Sequence, residues 1–128
     1  MQHLSMIKVE LLDQYIRCKK SVDAYYNEIK NNCVKGYLSK KKINGKVYYY
    51  LQWNANGKLK SKYIKQQYVH EIEQNIKYRR NCEESIRKMK ENIKDIEKFL
   101  GKELIFEYME DLRKDLKKQI ELRYGERL

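Results

Sequence analysis

The residue pair Asn44-Gly45 is the feature that most restricts the fold of this chain. An Asn-Gly pair between two runs of strand-forming residues predicts a type I′ hairpin turn, because both central residues of that turn need a positive φ. We therefore expect one strand at residues 36–43 and a second at residues 46–53. A further turn signal at residues 54–57 predicts a third strand, which would complete an antiparallel meander over residues 36–65.

Outside the meander, apolar residues follow the spacing of α-helices. Apolar residues recur at spacings of three and four in a first stripe, which contains Leu4, Ile7, Leu11, Tyr15, Cys18, Val22, Tyr25 and Ile29. A second helical stripe contains Val69, Ile72, Ile76, Cys82, Ile86, Met89, Ile93, Ile96 and Leu100. These stripes predict two long helices at residues 4–31 and 67–100, and the sequence contains no proline to interrupt them. A shorter apolar stripe predicts a third helix at residues 102–124.

Together these elements predict an α+β fold. A three-stranded antiparallel meander is inserted between two long antiparallel helices, and a shorter C-terminal helix follows. A length of 128 residues fits a single domain spanning residues 1–128. The end of the second long helix alternates spacings of three and four like a coiled-coil seam. The sequence leaves open whether these seams pair within one chain or form a homodimer.

Charge is distributed unevenly along the chain. Residues 35–65 contain nine lysines and no acidic residue, so they supply +9 of the formal net charge of +11. Acids nearly balance bases in the rest of the sequence. The exclusion of one sign from the meander favours an anionic partner, although lysines also protect exposed sheet edges from aggregation.

Alternation along the strands divides the meander into two faces. We define the tyrosine face by Tyr37, Ile43, Tyr48, Tyr50, Leu59 and Tyr63. We define the lysine face by Lys40, Lys42, Lys58, Lys60 and Lys62, which surround Tyr49 and Trp53, with Leu38, Val47, Leu51 and Ile64 beneath them. Because the tyrosine face carries few charges, we expect it to pack on the helices and the lysine face to be exposed.

The lysine face has the composition of a nucleic-acid-binding surface. Lysines bind phosphates, and aromatic rings stack on bases or pack against the backbone, roles expected here of Tyr49 and Trp53. Arg79 and Arg80 on the second long helix are expected to extend this phosphate-binding track. No helix-turn-helix or zinc-finger pattern is present, so sequence-specific base recognition is not predicted.

Residue patterns typical of catalysis or metal binding are missing from the sequence. His3 and His70 have no serine, cysteine or aspartate in a triad-like arrangement nearby. Cys18, Cys33 and Cys82 are far apart and have neither zinc-ligand nor disulfide-framework spacing. The glycines are scattered singly, so there is no phosphate-binding loop. We therefore expect no enzyme activity, no catalytic residue, no metal and no cofactor.

The N-terminal residues lack a signal-peptide pattern, and no window approaches the ~18 apolar residues that a membrane span requires. Three unpaired cysteines are typical of a reducing compartment. We therefore expect a cytoplasmic protein without a membrane partner.

The meander also resembles a known kind of module. The runs Gly36-Tyr37-Leu38, Asn44 to Trp53 and Gly57 to Ile64 are similar to a hairpin unit in small uncharacterised proteins of low-GC Gram-positive bacteria and their mobile elements. In those proteins the hairpin unit precedes a long helix, and the resemblance covers about residues 35–100. It implies a helix, meander, helix arrangement and a mobile-element setting, but no activity or site residues.

Three functions follow as expectations. The first is a non-enzymatic nucleic-acid-binding accessory protein. The second is a phage or mobile-element protein inhibitor, of the anti-CRISPR kind, whose basic surface binds a host nucleic-acid-processing protein. The third is a coiled-coil dimerisation module. The sequence does not distinguish DNA from RNA or a protein as the partner.

Overall fold

The computed structural model describes residues 4–125. Its elements, in chain order, are α1 (Met6–Asn32), β1 (Tyr37–Ile43), β2 (Lys46–Ala55), β3 (Lys58–Ile64), α2 (Gln66–Leu100) and α3 (Lys102–Tyr124). The prediction of an α+β protein with three helices and a three-stranded antiparallel sheet is confirmed. His3 and both ends of the predicted domain 1–128 lie outside the described residues.

Both turns of the sheet use an asparagine followed by a glycine. Their φ angles are 51° at Asn44, 80° at Gly45, 53° at Asn56 and 77° at Gly57. Two successive positive φ values define the type I′ turn, whose twist matches that of the flanking strands. The second turn closes on its Asn-Gly pair alone, with Ala55 opposite Lys58, so β2 extends two residues beyond its predicted end.

The strands are ordered β1-β2-β3, with β2 in the centre. Lys40 lies opposite Tyr49 in the first pairing, as the two-residue turn predicts. In the second pairing Tyr50 lies opposite Tyr63. Because directly opposed residues share a face, this register places the predicted residues together on the predicted faces.

The helices begin and end at recognisable caps. The hydroxyl of Ser5 accepts a hydrogen bond from the Lys8 amide at 3.3 Å, which satisfies a free donor in the first turn of α1. Gly101 separates α2 from α3 with a φ of 86°, a conformation that favours glycine. None of the described helices contains an apolar stretch that could cross a bilayer.

Glycine at position 36 is required by close packing between β1 and β2. Gly36 has a φ of 97°, and a Cβ atom built there would lie 2.0 Å from the carbonyl oxygen of Gln52. A side chain at this position would force the backbone of the two strands apart.

The chain divides into two compact units. One unit comprises Asp23–Arg87 and contains the end of α1, the sheet and the beginning of α2. We call it the sheet unit. Its buried apolar residues are Ile64, Val69, Ile76, Cys82 and Ile86. Except for Ile64, all of these belong to the apolar stripe predicted for the second long helix.

The other unit, which we call the helical unit, contains the residues up to Val22 and those from Lys88 onward. Its buried apolar residues are Leu12, Tyr15, Cys18, Val22, Ile93, Ile96 and Ile105. Leu12 is 1% exposed although it lies outside the predicted stripe of α1. The single domain predicted from the length remains a prediction.

The helix α3 buries little of its own apolar stripe. Ile105 is buried, and the Tyr108 hydroxyl donates a hydrogen bond to Asp13 at 3.2 Å. Further along, Met109, Leu116 and Ile120 are 40%, 52% and 40% exposed. Only the beginning of α3 is therefore well packed in this unit.

Candidate nucleic-acid interface

The lysine face of the sheet, and not the tyrosine face, is the one that packs on α2. Ile64 on the lysine face is 8% exposed, and Leu38, Leu51 and Trp53 are half-buried. On the tyrosine face, Leu59 is 57% exposed. The predicted orientation of the sheet is therefore wrong, although the membership of each face is right.

The physical reason lies in the aliphatic residues. Leu38, Leu51 and Ile64 have no polar atom and gain most from leaving water. The lysines beside them have long apolar stems, so their ammonium groups reach solvent from the margin of a packed face. Tyrosine has a hydroxyl group that tolerates exposure. The prediction gave charge more weight than aliphatic content.

A groove of about 510 Å³ lies between the sheet and α2, within the sheet unit. Lys40 and Tyr49 line it from the sheet. Lys77 and Arg80, which are close together on α2 because they are three residues apart, line it from the helix. Glu73 contributes one acidic group to the same groove. The structure thus brings three predicted site residues together and adds Lys77, which the prediction left out of the site.

Lys58, Lys60 and Lys62 form a second basic cluster on the edge strand β3. All three are exposed, and Lys60 lies opposite the half-buried Trp53. Lys58 pairs with Ala55, six residues along β2 from Tyr49 of the groove. At about 3.3 Å per residue this separates the two points by ~20 Å. Lys62, at the near end of the cluster, pairs with Leu51, only two residues along β2 from Tyr49. The β3 cluster therefore extends from beside the groove to ~20 Å away from it.

Lys42 belongs to neither cluster. It is exposed and lies opposite Val47, near the Asn44-Gly45 turn and beyond the groove. It therefore adds positive charge near the tip of the first hairpin, two residues along the strands from the Lys40–Tyr49 pair.

Arg79 has a structural role. Its guanidinium donates a hydrogen bond of 2.6 Å to the carbonyl oxygen of Val34 and lies 3.4 Å from a carboxylate oxygen of Glu83. Its side chain is only 16% exposed. Asn75 fixes the same loop by accepting from the Val34 amide and donating to the Asn32 carbonyl. We therefore remove Arg79 from the predicted phosphate-binding track and retain Arg80.

Tyr78 and Cys33, two titratable groups near this loop, stay neutral at pH 7. A hydrogen bond with Glu28, with added effects of burial and Cys82, raises the pKa of Tyr78 to about 12. Burial and the neighbouring Cys82 raise the pKa of the Cys33 thiol. Neither group contributes charge to the surface, so the positive charge of this region comes from its lysines and arginines.

The lysines of residues 35–65 are available to a ligand. All nine are exposed. In the part of the chain that the structure describes, none of them forms an ion pair with a carboxylate. Their charge is therefore not neutralised by neighbouring acids.

The tyrosine face is a feature that the sequence prediction misplaced. Tyr37 is 48% exposed and Tyr63 is 51% exposed. The Tyr63 ring centroid lies 5.8 Å from that of Tyr50 and 6.2 Å from that of Tyr48. Lys41 places its ammonium 4.9 Å from the centroid of the Tyr50 ring. The higher aliphatic content of the opposite face was the signal that could have identified this face as exposed.

Among residues 4–125, no group of three or more histidine, cysteine, aspartate or glutamate side chains is arranged to hold a metal ion. The surface described above consists of cations, aromatic rings and backbone. Its chemistry is suited to binding phosphates and planar groups.

Comparison with known proteins identifies one family. The model of the family described as "Domain of unknown function (DUF6788)" matches residues 5–74, more than half of the chain. The match includes all of α1, the complete sheet and the beginning of α2. No curated protein and no solved structure matches the chain.

Proposed function

Since the chain belongs to the DUF6788 family, whose description names no function, we propose from the geometry of the sheet unit that it is a non-enzymatic nucleic-acid-binding accessory protein. The proposal rests on one observation: the nine lysines of residues 35–65 are all exposed, and this segment contains no acidic residue. A polyanion that binds these lysines releases its condensed counterions, which favours binding without sequence specificity.

The two basic clusters have distinct roles in this proposal. Lys40, Lys77 and Arg80 contact phosphates at the groove, where Tyr49 provides an aromatic wall. The β3 cluster, Lys58 to Lys62, contacts phosphates along the edge of the sheet. Lys62 pairs with Leu51, two residues along β2 from Tyr49, so one strand of nucleic acid that leaves the groove meets the near end of the β3 cluster first.

The proposal includes antiparallel pairing of α1 and α2 as the support of the sheet. Two links within the sheet unit support this direction. Asn32 of α1 is bonded to Asn75 of α2, and Glu28, one turn earlier in α1, is bonded to Tyr78, about one turn later in α2. The contacting residue in α2 moves towards the C-terminus as the contacting residue in α1 moves towards the N-terminus, which is the order that antiparallel helices give.

The test is the salt dependence of binding, measured by fluorescence polarisation with labelled DNA and RNA. The variant replaces Lys58, Lys60 and Lys62 with glutamine. Between about 50 and 200 mM salt, the wild type should lose affinity steeply. The salt slope, which is the slope of the logarithm of affinity against the logarithm of salt concentration, should be ~0.7 to 0.9 for each phosphate contact. The variant should bind more weakly, and its slope should be lower by roughly 2 to 3 if all three contacts are lost.

The matched control replaces Lys114, Lys117 and Lys118, three exposed lysines of α3, with glutamine. It removes the same charge from a region outside the proposed interface. Its salt slope should equal that of the wild type. Equal losses in the two variants would mean that only net charge matters, and the proposed interface would be rejected.

A second candidate function is an inhibitor of a nucleic-acid-processing protein, comparable to an anti-CRISPR protein. The exposed tyrosines favour it, because tyrosine is a common anchor of protein interfaces. The mobile-element setting implied by the resemblance is a prediction that agrees with this function. A stoichiometric protein complex that survives nuclease treatment and is lost in the Lys58, Lys60, Lys62 variant would favour the inhibitor over nucleic-acid binding.

A homodimer formed through the helix seams is compatible with either function. The exposed Met109, Leu116 and Ile120 of α3 support it, because they recur on one apolar stripe. Light scattering on the wild type should then give twice the monomer mass, and Leu116→Asp should give the monomer. A monomeric wild type at high concentration would contradict the dimer.

A further inference from the structure

The tyrosine face is an unusual surface for one side of a small antiparallel sheet. A sheet that packs on a helix with one face normally presents polar residues on the other. Here the open face carries four tyrosines contributed by all three strands, together with Ile43 and Leu59, which are 46% and 57% exposed. Contiguous exposed apolar surface of this kind marks an interaction site.

The tyrosine rings on this face are inclined to one another. The Tyr50 and Tyr63 rings meet edge to face at 66°, and the Tyr48 and Tyr63 rings are tilted at 55°. An edge-to-face contact covers one flat face of only one of the two rings, so flat ring surface remains for a ligand. Tyr63, at 51% exposure, offers the most ring surface to a planar ligand, whereas Tyr37, at 48% exposure, also lines the groove beside α2.

Positive charge surrounds these rings. Lys41 and Lys46 lie on the tyrosine face itself, since they alternate with the residues of the lysine face. The β3 lysines lie on the same edge strand as Tyr63 but belong to the lysine face, and residues 35–65 contain no acid. The charge is complementary to a ligand that combines planar rings with phosphates.

We propose that the tyrosine face is a base-stacking platform for single-stranded nucleic acid. This inference rests on the proposed function and narrows its ligand from nucleic acid in general to single strands. In a duplex the bases are stacked on one another and their flat faces are hidden, whereas a single strand presents them to aromatic side chains. The tyrosines bind bases and the lysines bind phosphates of the same strand.

The experiment compares two single-stranded probes of equal phosphate number. One is an oligothymidine of about 12 nucleotides, within the site size of aromatic single-strand-binding surfaces, and the other is an abasic oligomer of the same length. Lysine contacts are the same for both probes. Stacking is possible only with the first, so the wild type should bind oligothymidine ~5- to 150-fold more tightly than the abasic oligomer, the range expected for one stacked base.

The test variant replaces Tyr50 and Tyr63 with leucine. It should bind oligothymidine no more tightly than the abasic oligomer and keep the salt slope of the wild type, because its lysines are intact. The matched control replaces Tyr68 and Tyr124 with leucine; these two tyrosines are 47% and 68% exposed and lie on helices. This control should retain the preference for oligothymidine. Circular dichroism of both variants checks that they are folded.

The outcomes separate this inference from the function on which it rests. Equal affinity of the wild type for the two probes, with a steep salt slope, would overturn the stacking platform and leave phosphate binding intact. No salt-dependent affinity for either probe would overturn the proposed function. Tighter binding of a duplex than of oligothymidine, or an unchanged preference in the Tyr50, Tyr63 variant, would also reject the platform, and would direct attention to a protein as its occupant.

Discussion

The two faces of the meander are built from the same three strands and yet have opposite environments. Around Ile64 the lysine face packs towards α2, and its cations lie at the margins, in the groove and on β3. The tyrosine face is open, and its aromatic rings come from all three strands. The difference teaches that aliphatic side chains decide which face of the sheet is buried. Charged side chains decide only which part of that face stays at its solvent-exposed margin.

The comparison also assigns different chemistry to the two faces. On the lysine face, packing leaves the ammonium groups as the accessible part, so this face can recognise phosphates but offers little ring surface. The tyrosine face offers rings, with Lys41 and Lys46 beside them. A ligand that binds both the ammonium groups of the lysine face and the rings of the tyrosine face has to contact the margin of the first face and the open surface of the second.

The largest expected difference between the faces is in stability. Ile64→Ala removes a buried side chain and should lower the free energy of unfolding by about 2–5 kcal/mol. The control, Leu59→Ala, changes a residue on the tyrosine face that is 57% exposed, and should stay within ~0.5 kcal/mol of the wild type. Urea denaturation measures both variants. A larger loss at Leu59 than at Ile64 would reverse the assignment of the buried face.

A second comparison uses two adjacent arginines. Arg79→Ala removes the donor to the Val34 carbonyl and should cost about 1–3 kcal/mol of stability, because that part-buried acceptor is left unpaired. Arg80→Ala changes an exposed groove residue and should leave stability within ~0.5 kcal/mol.

Binding should respond in the opposite way. Arg80→Ala is expected to reduce the salt slope of nucleic-acid binding by about 1, while folded Arg79→Ala keeps it. Thermal unfolding and polarisation titrations measure the two effects. If Arg79→Ala were fully stable and reduced the slope, Arg79 would belong to the interface after all.

A smaller stability effect than at Ile64 is expected for an aromatic residue of the tyrosine face. Tyr63→Leu removes one edge-to-face and one tilted ring contact from a residue that is half exposed, and should cost about 0.5–1.5 kcal/mol. Urea denaturation measures the free energy of unfolding of Tyr63→Leu and of Ile64→Ala, so that the two losses can be compared directly. A cost as large as that of Ile64→Ala would show that Tyr63 is a core residue, and the open-face description would fail.

Much of the fold follows from local sequence signals. Asn44-Gly45 and Asn56-Gly57 determine two type I′ turns, and these fix the register and hence the membership of each face. The stripe of α2 predicted its buried residues, and Gly101 marked its end. These features depend on residues close in sequence, which is why the sequence alone predicts them.

The remainder depends on contacts between distant residues. Asn75 and Arg79 bind the loop after α1 from 41 and 45 residues away, so nothing near Val34 in the sequence indicates their role. Leu12 is buried by tertiary packing although it lies outside the main stripe. The orientation of the sheet was misjudged for a related reason, since both faces contain enough apolar surface to pack on a helix.

The most direct test of the difference between the two faces is NMR titration of labelled protein with an oligothymidine of about 12 nucleotides. Ring and amide signals of Tyr48, Tyr50 and Tyr63 should shift, together with amides of the β3 lysines, while the methyl signals of Ile64 and the signals of α3 stay in place. Unchanged tyrosine rings, with the largest shifts in α3, would contradict the account.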